Sequence, residues 1–210
     1  MEGKYSRYSA GGGDGTFAIL HAGMDYLITQ DLLIGFGTQF DWTTYDANTV
    51  GEADGFGFMA GPYLTARITD RFYVDGRLAW GQSDNSISPY ETYSDGFDTQ
   101  RWLASAALIG DFDHGAFNIM PELRLSYFTE ETGAYTDSLG NRIPSIEVET
   151  GTLEFGPTFS TEIELNDAMI LSPRLTAKGI WTFAQDNTAN QFISDPQTLA
   201  SEGLRASIEA

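Results

Sequence analysis

About eight stretches of this chain alternate apolar and polar residues for longer than a soluble strand does. In residues 32–44, Ile34, Phe36, Thr38, Phe40 and Trp42 share one face, and Gly35, Gly37, Gln39 and Asp41 share the other. From Phe72, the residues Phe72, Val74, Gly76, Leu78 and Trp80 stand against Tyr73, Asp75, Arg77 and Ala79. From Phe117, Ile119, Pro121, Leu123, Leu125 and Tyr127 stand against Asn118, Met120, Glu122, Arg124 and Ser126. Residues 16–29, residues 56–69, a segment ending near Phe112, and two segments around Phe155 and Leu175 repeat the pattern. Successive side chains of a strand project to opposite faces, so this period implies long β-strands, each with one apolar face. Pieces of one further strand lie at each end, the first of them at residues 1–9.

The connections alternate as strictly as the residues. Thr29-Gln30-Asp31, Thr69-Asp70-Arg71, Asp113-His114-Gly115-Ala116 and Asn166-Asp167-Ala168 are tight and rich in turn-forming residues. Between them come long acidic links at 45–55, 84–96, 129–147 and 184–203. In an up-and-down barrel, all the tight turns fall at one rim and all the long links at the other. Trp42, Trp80, Trp102 and Trp181 lie on the apolar faces towards the long-link end, about ten to fourteen residues from the nearer tight turn. Indole rings favour the boundary between hydrocarbon and headgroups, so these four are expected to form a membrane-interface girdle. A soluble antiparallel sheet also alternates, but over strands of about five or six residues. The fold class expected is therefore all-β: an antiparallel up-and-down transmembrane β-barrel, with residues 1–210 as a single domain and outer-membrane lipid against its apolar face.

Bulk composition narrows the partners. A formal net charge of −19 argues against nucleic acid and against attachment to anionic lipid through basic residues. There is no cysteine, which removes disulfides, thiolate nucleophiles and cysteine metal sites. No stretch approaches the roughly 18 apolar residues of a transmembrane helix, and the mean hydropathy of −0.23 does not separate a soluble protein from a wall that alternates lipid-facing and lumen-facing residues. The first residues carry no secretory signal. A barrel must cross the inner membrane, so either the chain is a fragment of a longer precursor or the barrel expectation fails.

The polar faces carry charge. Arg67, Arg77, Arg124, Arg174 and Lys178 are expected to face the lumen, with Asp41, Asp75, Glu122, Glu154 and Glu162 as counter-charges. Unpaired buried charge is costly, which implies a hydrated lumen lined by a mixed-sign ladder. Pro62, Pro121, Pro157 and Pro173 each remove a ladder donor and are expected at bulges or near the tight-turn rim.

Candidate chemistry is sparse. His21 and His114 have no neighbouring serine, Gly11-Gly12-Gly13-Asp14-Gly15 lacks the lysine and hydroxyl of a phosphate loop, and the acidic loop residues match no calcium spacing. No catalytic, cofactor or metal site is expected.

The stretch from Phe72 to Gly81 (FYVDGRLAWG), followed by Ser83-Asp84-Asn85, resembles a mid-barrel hairpin of the autotransporter translocator domain. So do Phe97-Asp98-Thr99-Gln100-Arg101-Trp102, Pro121-Glu122-Leu123-Arg124-Leu125-Ser126-Tyr127 and Leu153-Glu154-Phe155-Gly156-Pro157. The resemblance spans nearly the whole chain through the order and spacing of short motifs. It implies an outer-membrane barrel of about twelve strands in a Gram-negative bacterium, anchoring an N-terminal passenger and helping to export it by type V secretion. Its implied partners are the barrel-assembly machinery and a covalently linked passenger outside this chain. Residues 204–210 look like the start of another strand, so roughly ten strands and incomplete closure are expected here. Arg77, Arg124 and Arg174 are the expected lumen contacts, each replaceable singly with modest effect. The alternative is a stand-alone small outer-membrane porin or adhesin-like barrel without a passenger; an outer-membrane hydrolase and a soluble β protein are more distant rivals.

Overall fold

The structure, a computed structural model, describes residues 2–10, 13–47, 51–89, 92–166, 169–187 and 204–209. Its strands are β1 (Glu2–Ala10), β2 (Gly13–Thr29), β3 (Leu32–Ala47), β4 (Gly51–Thr69), β5 (Phe72–Pro89), β6 (Asp95–Gly110), β7 (Phe112–His114) and β8 (Phe117–Thr132), followed by β9 (Tyr135–Thr136), β10 (Arg142–Ile143), β11 (Ile146–Thr161), β12 (Ile163–Asn166), β13 (Met169–Leu171), β14 (Arg174–Asn187) and β15 (Leu204–Glu209). One antiparallel sheet follows the order β1-β2-β3-β4-β5-β6-β8-β11-β14-β15. The short β7 continues the line of β6 beyond Asp111 and also pairs with β8. Each long strand thus pairs with its neighbours in sequence, which is the up-and-down arrangement. Among the described residues β1 and β15 each have one partner, so the curled sheet is open.

The faces are those that the period requires. Met24, Phe36, Leu64, Leu78, Leu123, Phe155 and Leu175 stand exposed on the convex side. Among the described residues, the buried apolar side chains are Met59, Ala79 and Ala107, while Asp41, Ser83, Thr99 and Thr132 are buried polar groups. This inverts a soluble protein, which hides its large apolar residues. Side chains on non-neighbouring strands meet across the other face, which is therefore concave.

The tight turns share one chemistry. Gln30-Asp31 and Asp70-Arg71 each close a hairpin preceded by a register shift, between Leu27 and Thr29 and between Arg67 and Thr69. In each, the threonine hydroxyl accepts the amide two residues on: Asp31 to Thr29 at 3.2 Å and Arg71 to Thr69 at 3.3 Å. Gly115 supplies a φ of 66° in the third turn, a conformation glycine adopts without steric cost. Of the fourth turn, Asp167 and Ala168 lie outside the described residues, but Asn166 pairs with Met169 across it.

The long links differ from expectation. β3 and β4 stay paired to Ala47–Gly51, and β5 and β6 to Ile87–Asp95, so much of 45–55 and 84–96 is strand rather than loop. In 129–147 β8 runs to Thr132 and β11 starts at Ile146, and the residues between them keep a loop that holds the short β9–β10 pair. These rim segments carry Thr, Ser, Asp and Glu on both faces, which erases the apolar period while the backbone ladder continues. Strands of 14 to 19 residues exceed the roughly 9–11 that span hydrocarbon, so the surplus stands beyond it. Most of the link at 184–203 lies outside the described residues.

The in-strand prolines fall at gaps in the ladders. Between Ala60–Trp80 and Tyr63–Arg77 no pairing joins Pro62 to β5, and between Phe155–Gly179 and Thr158–Thr176 none joins Pro157 to β14. Pro121 lies where β8 passes from β6 to β7, between Ile109–Glu122 and Phe112–Ile119. On their other sides Pro62 faces Phe36, and Pro121 faces Pro157. Pro173 lies outside the strands, between β13 and β14. A proline at an unbroken position should be far worse: Leu125, paired to Ala106 and Leu153, is the test. Leu125→Pro is expected to abolish the heat-modifiable folded band on semi-native electrophoresis, whereas Pro121→Ala retains it.

Candidate functional site: the concave wall and its charge pairs

Asp41 on β3 and Arg101 on β6 are separated by two strands, yet their side chains meet. The Arg101 Nη1 donates to Asp41 Oδ1 at 3.0 Å and Oδ2 at 2.8 Å, and its Nε donates to Glu130 of β8 at 2.9 Å. Sequence prepares the span. The register neighbour of Arg101 on β5 is Gly81, and that of Asp41 on β4 is Gly57. A Cβ at Gly57 would overlap the Arg101 guanidinium, so only glycine leaves the passage open. Around it, the Ser83 and Thr99 hydroxyls lie 2.6 Å apart, Thr99 donates to Glu130 at 2.6 Å, and Asn85 donates to Ser83 at 2.7 Å. The result is a polar crossbar joining β3 to β8.

A smaller version lies lower in the wall. Tyr63 of β4 crosses β3 at Gly35, where a Cβ would overlap its ring, and donates to Asp25 of β2 at 2.8 Å.

The other expected wall charges sort as follows. Arg124 lies 2.6 Å from Glu122 and 3.8 Å from Asp75, and Lys178 lies 3.3 Å from Glu154. Asp75 also accepts the Thr65 hydroxyl at 2.8 Å. Arg67 pairs at 2.5 Å with Asp31 at the tight-turn rim, a partner the period did not single out. Arg174 begins β14, Glu162 falls between β11 and β12, and both are exposed at that rim with no ion pair among the described residues. Arg77 is half-buried on the concave wall. Arg101 and Glu130, the centre of the crossbar, are not among the lumen charges expected from the period, although Arg101 falls within the motif at residues 97–102. Parity alone would have found Arg101, since Trp102 beside it faces outward, but nothing in the sequence links it to Asp41.

Outside, Trp42, Trp80, Trp102 and Trp181 are 36–57% exposed on the convex face. Trp80 and Trp102 are direct register partners, and Trp42 packs on Phe56 at 5.5 Å between ring centroids. At the long-link rim, Phe97 stacks on Tyr135 at 5.8 Å, and the Ser138 amide donates to Asp95 at 3.0 Å. The loop that follows is folded round Asp137, whose carboxylate accepts the amides of Leu139 at 3.0 Å and Asn141 at 2.6 Å and the Asn141 side chain at 2.9 Å.

A wall apolar on its convex side, ion-paired on its concave side and built of over-long antiparallel strands defines an outer-membrane β-barrel wall. The chain belongs to the autotransporter β-domain family: the family model for the Autotransporter beta-domain matches residues 2–204. Solved translocator structures share the fold. The β-domain of the Bordetella autotransporter BrkA is similar at a TM-score of 0.64 and 18% identity, over 86% of this chain and 78% of that one. The NalP translocator domain of Neisseria meningitidis gives 0.64 and 17%, over 85% and 65%. The AIDA-I transport unit of Escherichia coli gives 0.65 and 11%, over 98% and 69%. No curated protein sequence matches the chain. Domains of this family are outer-membrane barrels of Gram-negative bacteria that serve passenger export, and they are transport rather than catalytic modules.

Two outcomes follow from this geometry. Arg101→Ala leaves Asp41 and Glu130 partly buried without their cation and should cost about 2–3 kcal/mol after allowing for partial solvent access, read as a lower urea midpoint. An unchanged midpoint would remove the crossbar from the stability account. The hydrogen bond from Asn141, helped by the amides of residues 139–141, holds the Asp137 carboxyl below its ordinary value. Its contribution is therefore complete above the unfolded carboxylate pKa of about 3.9 and is lost as the pH falls through the lower folded value. Amide protection at Leu139 and Asn141 is expected to persist from neutral pH to about pH 4, to fall below it, and to be absent at pH 7 in Asp137→Ala.

Proposed function

We propose that this chain forms most of the wall of one translocator barrel domain, which anchors a covalently continuous N-terminal passenger and assists its export by shape and charge alone. The observation that carries this reading is the inversion of the sheet: apolar residues exposed outside, carboxylates and guanidiniums paired within. Lipid solvates the first face, and a hydrated lumen suits the second.

In this reading Trp42, Trp80, Trp102 and Trp181 form the interfacial girdle near the external rim. Asp75, Glu122, Arg124, Glu154 and Lys178 line the lumen, with Arg67, Glu162 and Arg174 at its periplasmic mouth. Arg77, Arg124 and Arg174 contact the exported segment, each with modest individual weight. The barrel-assembly machinery inserts the finished domain. This reading assigns the chain a transport role and asks no catalytic chemistry of it.

The test uses the full-length protein. Reconstituted in vesicles whose lipids carry bromine high on the acyl chain, its tryptophan emission should be quenched more strongly than by bromine near the bilayer centre. In intact cells, externally added protease should reach the passenger. Tryptophans insensitive to both brominated lipids would sink the girdle. A passenger that stays protease-resistant until the cells are broken would sink the export role.

A further inference from the structure

On the concave wall, cations come with carboxylates. Arg101 has Asp41 and Glu130, Arg124 has Glu122 and Asp75, and Lys178 has Glu154, all within 3.8 Å. Lys4, on the same face by register, and Arg174 also lack an ion pair among the described residues but stand exposed, so the exception among cations withdrawn from water is Arg77. It is half-buried near the middle of β5, and no described residue gives it a hydrogen bond or ion pair. A guanidinium partly withdrawn from water with its five N–H donors unmatched is an unfavourable arrangement unless something else supplies the acceptors.

Its surroundings specify what could. Arg77 opens into a concavity of about 430 Å³ that also holds His21, Asp75, Ser105, Arg124 and Ser126. The carboxylate there is committed, since Asp75 accepts the Thr65 hydroxyl at 2.8 Å and faces Arg124. Arg124 is committed in turn to Glu122 at 2.6 Å. Ser105 is the direct register partner of Arg77 on β6 and offers a hydroxyl beside it. What Arg77 itself lacks is an acceptor-only, planar anion within ion-pair reach, since Asp75 gives one oxygen to Thr65 and holds the other towards Arg124. The space far exceeds the roughly 30 Å³ share of a water molecule.

We infer that Arg77 is a docking point for a carboxylate carried by the polypeptide segment that occupies the lumen. The inference rests on the export reading above. The planar fork takes a carboxylate through two parallel hydrogen bonds, and Ser105 can donate a third. A segment passing the wall would pause where an acidic side chain meets Arg77. A free carboxylate from solution would satisfy the same chemistry, and the experiment separates the two sources.

The chain has no cysteine, so Ser105→Cys in the full-length protein, with any cysteine outside this chain replaced by serine, places a single thiol opposite Arg77. The measurement is its rate of modification by a sulfonate-bearing methanethiosulfonate relative to the trimethylammonium analogue. The expected ratio falls roughly fivefold on adding Arg77→Gln and is kept by Arg77→Lys, which also guards against misfolding. A thiol shielded in the resting protein and released by Arg77→Gln supports the same conclusion. Decaglutamate should protect the thiol only when Arg77 is present, and acetate at equal carboxylate concentration should not. Equal protection by acetate would overturn the polypeptide source, and identical ratios with and without Arg77 would overturn the site. External protease on cells bearing Arg77→Gln separates the two readings. A displayed passenger with no Arg77-dependent modification sinks this inference alone, and a passenger never displayed even by the parent protein sinks the export reading.

Discussion

A strand in hydrocarbon can place its N–H and C=O groups only on its neighbours, and the rest of this structure depends on that restriction. It explains why the sheet is antiparallel and sequential, because each hairpin delivers a partner at once. It also explains where the prolines sit. Pro62, Pro121 and Pro157 stand where one ladder is interrupted, and each keeps a register partner on the other side. Pro121 and Pro157 are direct register partners, and each has the interruption of a ladder on its other side.

Once the backbone is satisfied, the side chains need only fit the two environments, and the concave face shows how they do so without a conventional core. Tyr63 reaches Asp25 across Gly35, and Arg101 reaches Asp41 across Gly57. In both cases a long polar side chain passes over a glycine and ends on a carboxylate beyond it, across one intervening strand for Tyr63 and two for Arg101. Such contacts join strands that share no ladder, so they constrain the curl of the sheet as ladder bonds alone do not. Charges that would be costly in isolation become cross-links, with hydroxyls of Ser83 and Thr99 completing the acceptors of Glu130.

The sequence made the faces legible because lipid is an unambiguous solvent. Phe36, Leu78 and Leu123 had to point outward once their strands had to span hydrocarbon, and the tight turns at Gln30-Asp31 and Asp70-Arg71 announced themselves by composition. The rims were harder to read. Above the hydrocarbon, Thr44, Asp46, Glu52 and Asp54 put polar side chains on the face that Trp42 and Phe56 occupy below, so the ladder from β3 to β4 continues while its sequence signal stops. Among the charges, Arg124 with Glu122 and Lys178 with Glu154 lie on the same or nearby strands and were within reach of parity. The crossbar was not.

By itself, then, the sequence determined the period, the two faces, the alternation of tight and long connections and hence the class of barrel wall, because each of these follows from local alternation under a fixed solvent. Only the tertiary structure decided which charges meet. Arg101 and Asp41 are 60 residues apart and lie on strands that never pair, and their contact exists because the register of three ladders and the curl of the sheet bring them together over a glycine. The same geometry left Arg77 without a partner among the described residues. A pattern along one strand carries no information about how far the neighbouring strands slide or bend, and pairing across a curved wall depends on both.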